Sequence, residues 1–440
     1  MKKPELPPKL WDSRDYNPFR VIHHKELWEK LVELNKEYPY WDKFKYEVKN
    51  LEIEASKSWS IIKNLTSFFG KKVKLGNDPL FSFKYIVTDN TQQLLHQFDM
   101  NLTGNTQTHI AAEDKNSLLV NALMEEAIAS SRIDGADTTR RVAKDMLLAQ
   151  RKPVTVSEKM IYNNYAALKR IDDIAHQPLT PELLLELHKL ITAGTLDDAT
   201  QEGAYRTASH INIIYPTTGE ILFATPASKY IAEAIVELCH FANTDEGEFT
   251  HPIVRASVLH FLIGYIHPFA NGNGRVARAI FNWCLLNRGY WLAQFMPVSR
   301  LIEKSHTQYY MAFLHTELDG NDLTYFINYQ CKELATAYAE LKQYVQQKAD
   351  NKKELVTLVK QNDINNRQLQ ILHMAMKNGA KAITIKEVQT AFDVFYETAR
   401  TDLLGLVDKK FLYMKKKGKA FTFLRAEEVK VILEFENDVV

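Results

Sequence analysis

Apolar residues recur at spacings of three and four through most of the chain, the signature of helices that bury one face. The pattern is present at 27–41 and 51–69 and strengthens from Ser117. There Leu118, Leu119, Ala122, Leu123, Ala127 and Ile128 make one stripe, which Gly135 is placed to end as a C-cap residue. Further helices are predicted over 142–149, 159–171 and 181–192. The period changes at 211–224, where apolar β-formers flank Pro216-Thr217-Thr218-Gly219 and predict a β-hairpin. Two helices then lie on either side of a glycine-rich turn. One opens at Pro252, a residue suited to a first helical turn, and runs to Ile266; the other begins near Gly274 and ends at Gly289. Around 343–365 the chain turns polar and charged, as a linker or a bridging helix would. Beyond it, helical patterns at 369–376, from 384, and at 396–406 precede two β runs, 411–414 and 421–424. No repeat of about 20–50 residues is present.

Composition narrows the class. The chain has 440 residues, 45% of them hydrophobic and 25% charged, which is enough to bury a full core. At about 150 residues per domain, that length suggests roughly three domains. With 55 Lys+Arg against 54 Asp+Glu the net charge is +1, so bulk charge does not drive contact with nucleic acid or membrane. Cys239, Cys284 and Cys331 lie far apart with no C-x-x-C pair, which supports neither a disulfide framework nor a thiolate zinc site. Met1-Lys2-Lys3 leads into prolines and charges, and no stretch approaches about 18 apolar residues, so the expectation is a cytoplasmic protein without membrane contact. The first 113 residues show no chemistry; Trp11, Trp28, Trp41 and Trp59 read as packing anchors.

Candidate chemistry is concentrated in His267-Pro268-Phe269-Ala270-Asn271-Gly272-Asn273-Gly274-Arg275-Val276-Ala277-Arg278. Glycines just before a helix leave amide N–H groups free and let a ligand approach the backbone, which makes an anion site. Arg275 and Arg278 are one helical turn apart and can serve one polyanion. His267, directly upstream, is a base that ordinarily titrates near neutrality. Together these groups describe phosphate-transfer chemistry. The plainer alternative is a glycine turn between two helices, with His267 capping a carbonyl.

The run from His267 to Arg278 resembles the signature of the Fic domain, His-Pro-Phe-x-(Asp/Glu)-Gly-Asn-Gly-Arg-x-x-Arg. The resemblance extends to Gly203-Ala204-Tyr205-Arg206, the 211–224 hairpin, His251-Pro252, Ser299-Arg300 and Tyr309-Tyr310, about half the chain in all. It implies a mainly α fold: a Fic-type helical core with a β-hairpin flap, an N-terminal helical region and a C-terminal winged helix. The implied activity is transfer of AMP from ATP to a hydroxyl side chain of a target protein. His267 would deprotonate the incoming hydroxyl. The N–H groups around Gly272, Asn273 and Gly274 would hold the α- and β-phosphates, Asn273 adding a side-chain contact. Arg275 and Arg278 would neutralise the β- and γ-phosphates, and Tyr309 would wall the adenosine. The hairpin, through Ile213, Ile214, Leu222 and Phe223, would register an extended target segment along its edge; its plainer role is to cover the core.

Two positions depart from the family pattern. Asn271 stands where the family has Asp or Glu holding Mg²⁺, and a neutral amide gives up the charge a hard cation favours, so weak metal binding and slow turnover are expected. Ser130-Ser131-Arg132-Ile133-Asp134-Gly135 resembles the inhibitory motif (Ser/Thr)-x-x-x-Glu-(Gly/Asn), with Asp134 in place of Glu. An acid at a helix C-terminus is unfavourable to the dipole and calls for a cation. The resemblance names Arg278, with Ser130, Asp134 and Gly135 as the brake. The alternative is an ordinary exposed helix end.

The last part of the chain, three short helices and a two-stranded wing, reads as a winged helix-turn-helix. Arg400 and Thr401 lie where a recognition helix would, and Lys415, Lys416 and Lys417 lie on the wing, all suited to DNA phosphates. Residues 351–440 hold sixteen Lys+Arg against twelve Asp+Glu, too mild an excess to establish DNA binding. The division expected is 1–115 helical, 116–345 catalytic with its inhibitory helix, 346–366 linker and 367–440 winged helix. A nucleotide-sensing or catalytically weak DNA-binding regulator is the competing reading, and either leaves room for a homodimer.

Overall fold

The computed structural model describes residues 3–10, 25–51, 53–76, 78–103, 110, 112–214, 221–245, 249–361, 364–377, 382–417 and 420–426. They fall into two compact units, Met1–Ala339 and Glu340–Val440. The architecture is mainly helical, as expected. Among the described residues no helix is long and apolar enough to cross a membrane, and all three cysteines are free and buried.

The first unit opens with α1 (Lys25–Glu37), α2 (Trp41–Glu47) and α3 (Ala55–Phe69), whose core is built on Phe44, Trp59, Ile61 and Leu31. Trp59 and Trp41 are packing residues, as expected; Trp11 lies outside the described residues. A two-stranded antiparallel sheet follows, β1 (Lys71–Lys74) with β2 (Ser82–Tyr85), in the register Lys71↔Tyr85 to Lys74↔Ser82. Sequence periodicity misses it because β1, Lys-Lys-Val-Lys, carries one apolar residue. Then come α4 (Asp89–Leu102), α5 (Ala112–Ile133), α6 (Arg140–Leu148), α7 (Val156–Ile174) and α8 (Pro181–Thr192). Thr88, Thr139, Thr155 and Thr180 each accept a first-turn N–H and so start α4, α6, α7 and α8.

The predicted hairpin is present as β3 (Asn212–Ile214) and β4 (Ile221–Ala224), paired antiparallel with a register shift after Ile213. After α9 (Ile231–Asn243) the chain enters α10 (Pro252–Ile266) and α11 (Asn273–Asn287), bounded as their sequence predicts. Pro252 supplies the first turn of α10, and its flanks are apolar on all sides, so the helix is buried from Ile253 to Ile266 apart from Gly264. α11 packs along it, with α5, α7 and α8 around the pair. The unit closes with α12 (Val298–Lys304), α13 (His306–Leu318) and the start of α14 (Thr324–Gln361), which makes 343–361 helical rather than an irregular linker.

The second unit contains α15 (Asn366–Lys377), α16 (Ile385–Phe392) and α17 (Tyr396–Asp408). The two predicted β runs are β6 (Leu412–Lys417) and β7 (Ala420–Arg425), and a short β5 (Ile383–Thr384) joins them to give the order β5-β7-β6. Ile371, Ile383, Val388, Leu403, Leu406 and Phe423 form its core. Thr384 starts α16 with a full capping box to Glu387.

Candidate active site

The turn between α10 and α11 is held in one shape from three directions. His267 caps α10 in the left-handed conformation (φ 51°, ψ 59°), a state that costs a non-glycine residue roughly 1–3 kcal/mol and persists only when its surroundings impose it. Arg206 imposes it: buried, it donates from Nε to the carbonyl of His267 (2.7 Å) and from its other nitrogens to the carbonyls of Ala208, Ser209, Pro226 and Ile266. The second hold is His188 of α8, which stacks on buried Phe269 at 3.7 Å. Its Nδ1 accepts the N–H of Gly203 (3.0 Å), so Nε2 carries the proton and donates to the carbonyl of Asn271 (3.0 Å). The third is Asn273, whose side chain accepts from the N–H of Phe269 (2.9 Å) and donates to its carbonyl (2.8 Å). Both ends of that amide are therefore used within the loop. The side chain thus braces the loop, while the backbone N–H of Asn273 stands at the uncapped start of α11. Periodicity cannot flag Arg206 or His188, which read as ordinary helix and loop residues; only their placement assigns them to the turn.

The result is an open helix N-terminus. Gly272 precedes α11 at φ 83° without any side-chain cap, so the first N–H groups of α11 lack intrahelical partners. They face a cavity of about 760 Å³ lined by His267, Gly272, Asn273, Gly274, Arg278, Tyr309, Phe223 and Asp134 among others. His267 donates from Nδ1 to the carbonyl of Gly264 (3.3 Å), which leaves Nε2 with a lone pair. Burial pushes its pKa down to about 4, with nearby Arg206 adding to the effect. The residue is therefore neutral and able to accept a proton well below the neutral range expected from its sequence.

The end of α5 occupies the charged side of this cavity. Asp134, its side chain 15% exposed, sits 2.8 Å from Nη2 of Arg278 and 3.2 Å from Nε of Arg275. Burial pushes its carboxyl up, but Arg278 and then Arg275 outweigh that and hold it below its usual value. Arg278 also donates to Oγ (2.8 Å) and the carbonyl (2.7 Å) of Ser130, and Arg275 to the carbonyl of Ile191 (3.1 Å). Gly274 permits the approach: a Cβ there would lie 2.7 Å from Oδ1 of Asp134 and 3.0 Å from Nη1 of Arg278. Gly135 takes φ 96° with open space around it, and N–H groups of Gly135 and Ala136 bond back to Arg132 and Ser131, closing the helix. Thus Ser130, Asp134, Arg275 and Arg278 form one cluster, with Arg275 a second cation on Asp134.

Tyr309, on α13, is buried in the cavity wall and hydrogen-bonded to His260 (2.8 Å). Its neighbours on the same face include Phe313 and Glu317, whose carboxyl burial pushes up to about 8. Phe223 of the hairpin also lines the cavity and packs on Tyr265, ring centroids 5.0 Å apart. Ile213, Ile214 and Leu222 belong to the same hairpin by backbone pairing; their side chains lie outside the described residues. Arg400 and Thr401 on α17 and Lys415 and Lys416 on β6 are exposed in the second unit; the side chain of Lys417 is not among those described.

Asn271, the position expected to hold Mg²⁺, lines the cavity and offers it a neutral amide. Oδ1 of Asn271 accepts the N–H of Gly272 (2.6 Å). Among the described residues no group of three or more His, Cys, Asp or Glu could hold a metal. A neutral, already hydrogen-bonded amide is a poor first ligand for a hard cation.

Residues 178–285 match the family model for the Fic/DOC family. The chain is similar to protein adenylyltransferase fic-1 of Caenorhabditis briggsae, 28% identical over 170 residues, which is 39% of this chain and 29% of that protein. It is similar also to protein adenylyltransferase Fic of Drosophila mojavensis, 28% identical over 151 residues, 34% of this chain and 26% of that one. The aligned stretch thus spans less than a third of these relatives. Among solved structures, a Fic family protein from Desulfovibrio desulfuricans G20 superposes with a TM-score of 0.54 at 17% identity, over 78% of this chain and 97% of that one. A fragment of Fic-1 from C. elegans superposes with a TM-score of 0.50 at 18% identity, over 75% and 88%. These structural likenesses establish a shared fold.

Proposed function

We propose that the Fic domain carried by this chain transfers AMP from ATP to a Ser, Thr or Tyr hydroxyl of a target protein, and that the last turn of α5 restrains it. The observation that carries the reading is a single cavity in which a neutral histidine, an uncapped helix N-terminus and Arg278 converge, with a carboxylate already seated on the arginine. A carboxylate in that position mimics an anionic ligand, which is what a competing intramolecular brake would do. The relatives' name, protein adenylyltransferase, supports both the nucleotide and the class of acceptor.

In this reaction the target hydroxyl oxygen attacks the α-phosphorus. The bond to the pyrophosphate oxygen breaks, and the hydroxyl proton passes to Nε2 of His267. The products are AMP-modified protein and pyrophosphate. The N–H groups at Gly272, Asn273 and Gly274 hold the phosphates in place, and Arg275 and Arg278 offset the charge that accumulates on the leaving group. Positioning and preorganised charge supply most of the acceleration. Arg278 can serve in this way only after Asp134 releases it. The hairpin edge is the natural place for an extended target segment, opposite His267.

The test is transfer of label from ATP marked on the α-phosphate, with lysate as acceptor, in wild type, His267→Ala, Asp134→Gly and Asn271→Asp. Label raised in Asp134→Gly and absent in His267→Ala supports the reading. Label confined to Asn271→Asp moves the weight to a nucleotide-sensing regulator. For that reading the second unit is the relevant part: three helices and a ribbon with exposed Arg400, Thr401, Lys415 and Lys416, arranged as a winged helix would present them to DNA phosphates.

A further inference from the structure

The first hundred residues carry no chemistry of their own, yet they reach the cavity wall through one buried cation. Lys63 of α3 is 1% exposed. Its ammonium donates to Oη of Tyr38 (2.9 Å), Oη of Tyr325 (2.8 Å) and Oδ2 of Asp322 (2.8 Å), and lies 2.5 Å from Oδ2 of Asp319. The rings of Tyr38, Tyr325 and Trp59 enclose it, with centroids 4.2, 4.7 and 4.8 Å away. Tyr38 and Tyr325 in turn donate to Asp322 (2.5 Å) and Asp319 (2.8 Å). Burial disfavours the ammonium, but Asp322, with Tyr325, Tyr38 and Asp319, more than reverses this and keeps Lys63 charged.

Both carboxylates belong to the turn that leaves α13, the helix whose Tyr309, Phe313 and Glu317 form the cavity wall. That turn is attached to the same region at further points. His315 of α13 stacks on Tyr40 at 3.9 Å. Lys84 of β2 donates its N–H to the carbonyl of Asn321 (3.2 Å), and its carbonyl accepts the N–H of Leu323 (2.8 Å). Gly320 and Asn321 both take positive φ, 62° and 57°, so the turn has a costly backbone that its surroundings must hold. A buried ionic cluster adds little net stability over an apolar replacement of the same volume, but removing one partner leaves an uncompensated buried charge, which ties Lys63 to the two carboxylates.

We propose that Lys63 is a positioning residue for the cavity: by gripping Asp319 and Asp322 it sets where α13 lies, and so sets how tightly the cavity holds a nucleoside triphosphate. The proposal rests on the nucleotide reading above. The test is ATP binding by calorimetry in an Asp134→Asn parent, together with KM and kcat for AMP transfer. Lys63→Met leaves two buried carboxylates unpaired, so Lys63→Met/Asp319→Asn/Asp322→Asn removes the charges together, and Tyr40→Leu, which leaves the charges in place, removes the stack on His315 along with the hydroxyl's bond to the Glu5 carbonyl. The expected result is ATP affinity about tenfold weaker in the triple variant, within the range for residues that act on a site without touching the ligand. A matching rise in KM, an unchanged kcat and faster amide exchange confined to α13 should accompany it. A folded triple variant with parental ATP affinity and KM overturns the role of Lys63 while leaving the nucleotide reading intact. A parent that binds no ATP overturns both.

Discussion

Replacing Asp134 with Asn should make the protein less stable and a better nucleotide binder. The exchange keeps the shape of the side chain and removes its charge, leaving the guanidiniums of Arg275 and Arg278, both buried, facing a neutral amide. Removing one member of a buried ion pair costs about 3–5 kcal/mol. At the lower figure, Tm should fall by roughly 4 °C for a unit of this size. Binding should move the other way, because ATP no longer has to displace a carboxylate from Arg278. Hydrogen bonds to charged groups contribute about 1.5–3 kcal/mol, so the gain in affinity is roughly 10- to 150-fold. The crossed signature is readable in one instrument: thermal melts of wild type and Asp134→Asn, each titrated with ATP, since bound ligand stabilises in proportion to RT ln(1 + [L]/Kd). The variant should melt lower without ATP and gain more with it. Because Arg278 and Arg275 hold the Asp134 pKa below its usual value of 3.8, the pair's stabilisation is complete above that pH and is lost only as pH falls through the lowered value. The pairing of Asp134 with the arginines therefore persists through the neutral range, and acidification to pH 5 should not break it. A variant that melts lower yet binds ATP no more tightly than wild type would refute the competition on which the argument depends.

The remaining expectations concern the turn itself. With the pKa of His267 lowered to about 4, kcat/KM for transfer by Asp134→Gly should stay flat from pH 8 to about 5 and fall only near 4, where the base becomes protonated; an acid limb near 6.5 would contradict the buried, neutral His267. His267→Ala should abolish transfer while ATP affinity, measured by calorimetry, remains within a factor of about two, because a base acts in the transition state rather than in binding. Gly274→Ala should force Asp134 and Arg278 apart, lowering stability by about 1–3 kcal/mol, as overpacking does. In the double variant with Asp134→Asn the two losses should fall short of additive, as melts of the four proteins would show. His188, lowered to about 4 chiefly by burial, accepts the N–H of Gly203 only while neutral. Its support is thus complete above about pH 6.5 and lost as pH falls through 4, and His188→Leu should weaken ATP binding at pH 7.

Much of this was legible in the sequence for a local reason. The bounds of α10 and α11 follow from Pro252, an apolar run and the glycines at 272, 274 and 289, and the loop chemistry follows from residues within one dozen positions. Helix periodicity, caps and the hairpin at 211–224 are likewise short-range signals. The partners that hold the turn and its surroundings are long-range. Arg206 lies 61 residues from the carbonyl it grips, His188 lies 83 from its partner Asn271, and Lys63 lies 259 from Asp322. For His267, too, sequence supplies only the residue's ordinary pKa, and enclosure shifts it down. The sequence by itself determined where most helices form, where the glycine turn between α10 and α11 falls and which candidate residues flank it. Tertiary structure alone decided that Asp134 would meet Arg275 as well as Arg278 and that the Asn273 side chain would brace the loop. It alone decided, too, that Lys63 would grip the turn that leaves α13. Local pattern selects elements because a helix or turn satisfies its own backbone, but a buried charge or amide is satisfied only by whatever the finished fold brings within about 3 Å of it.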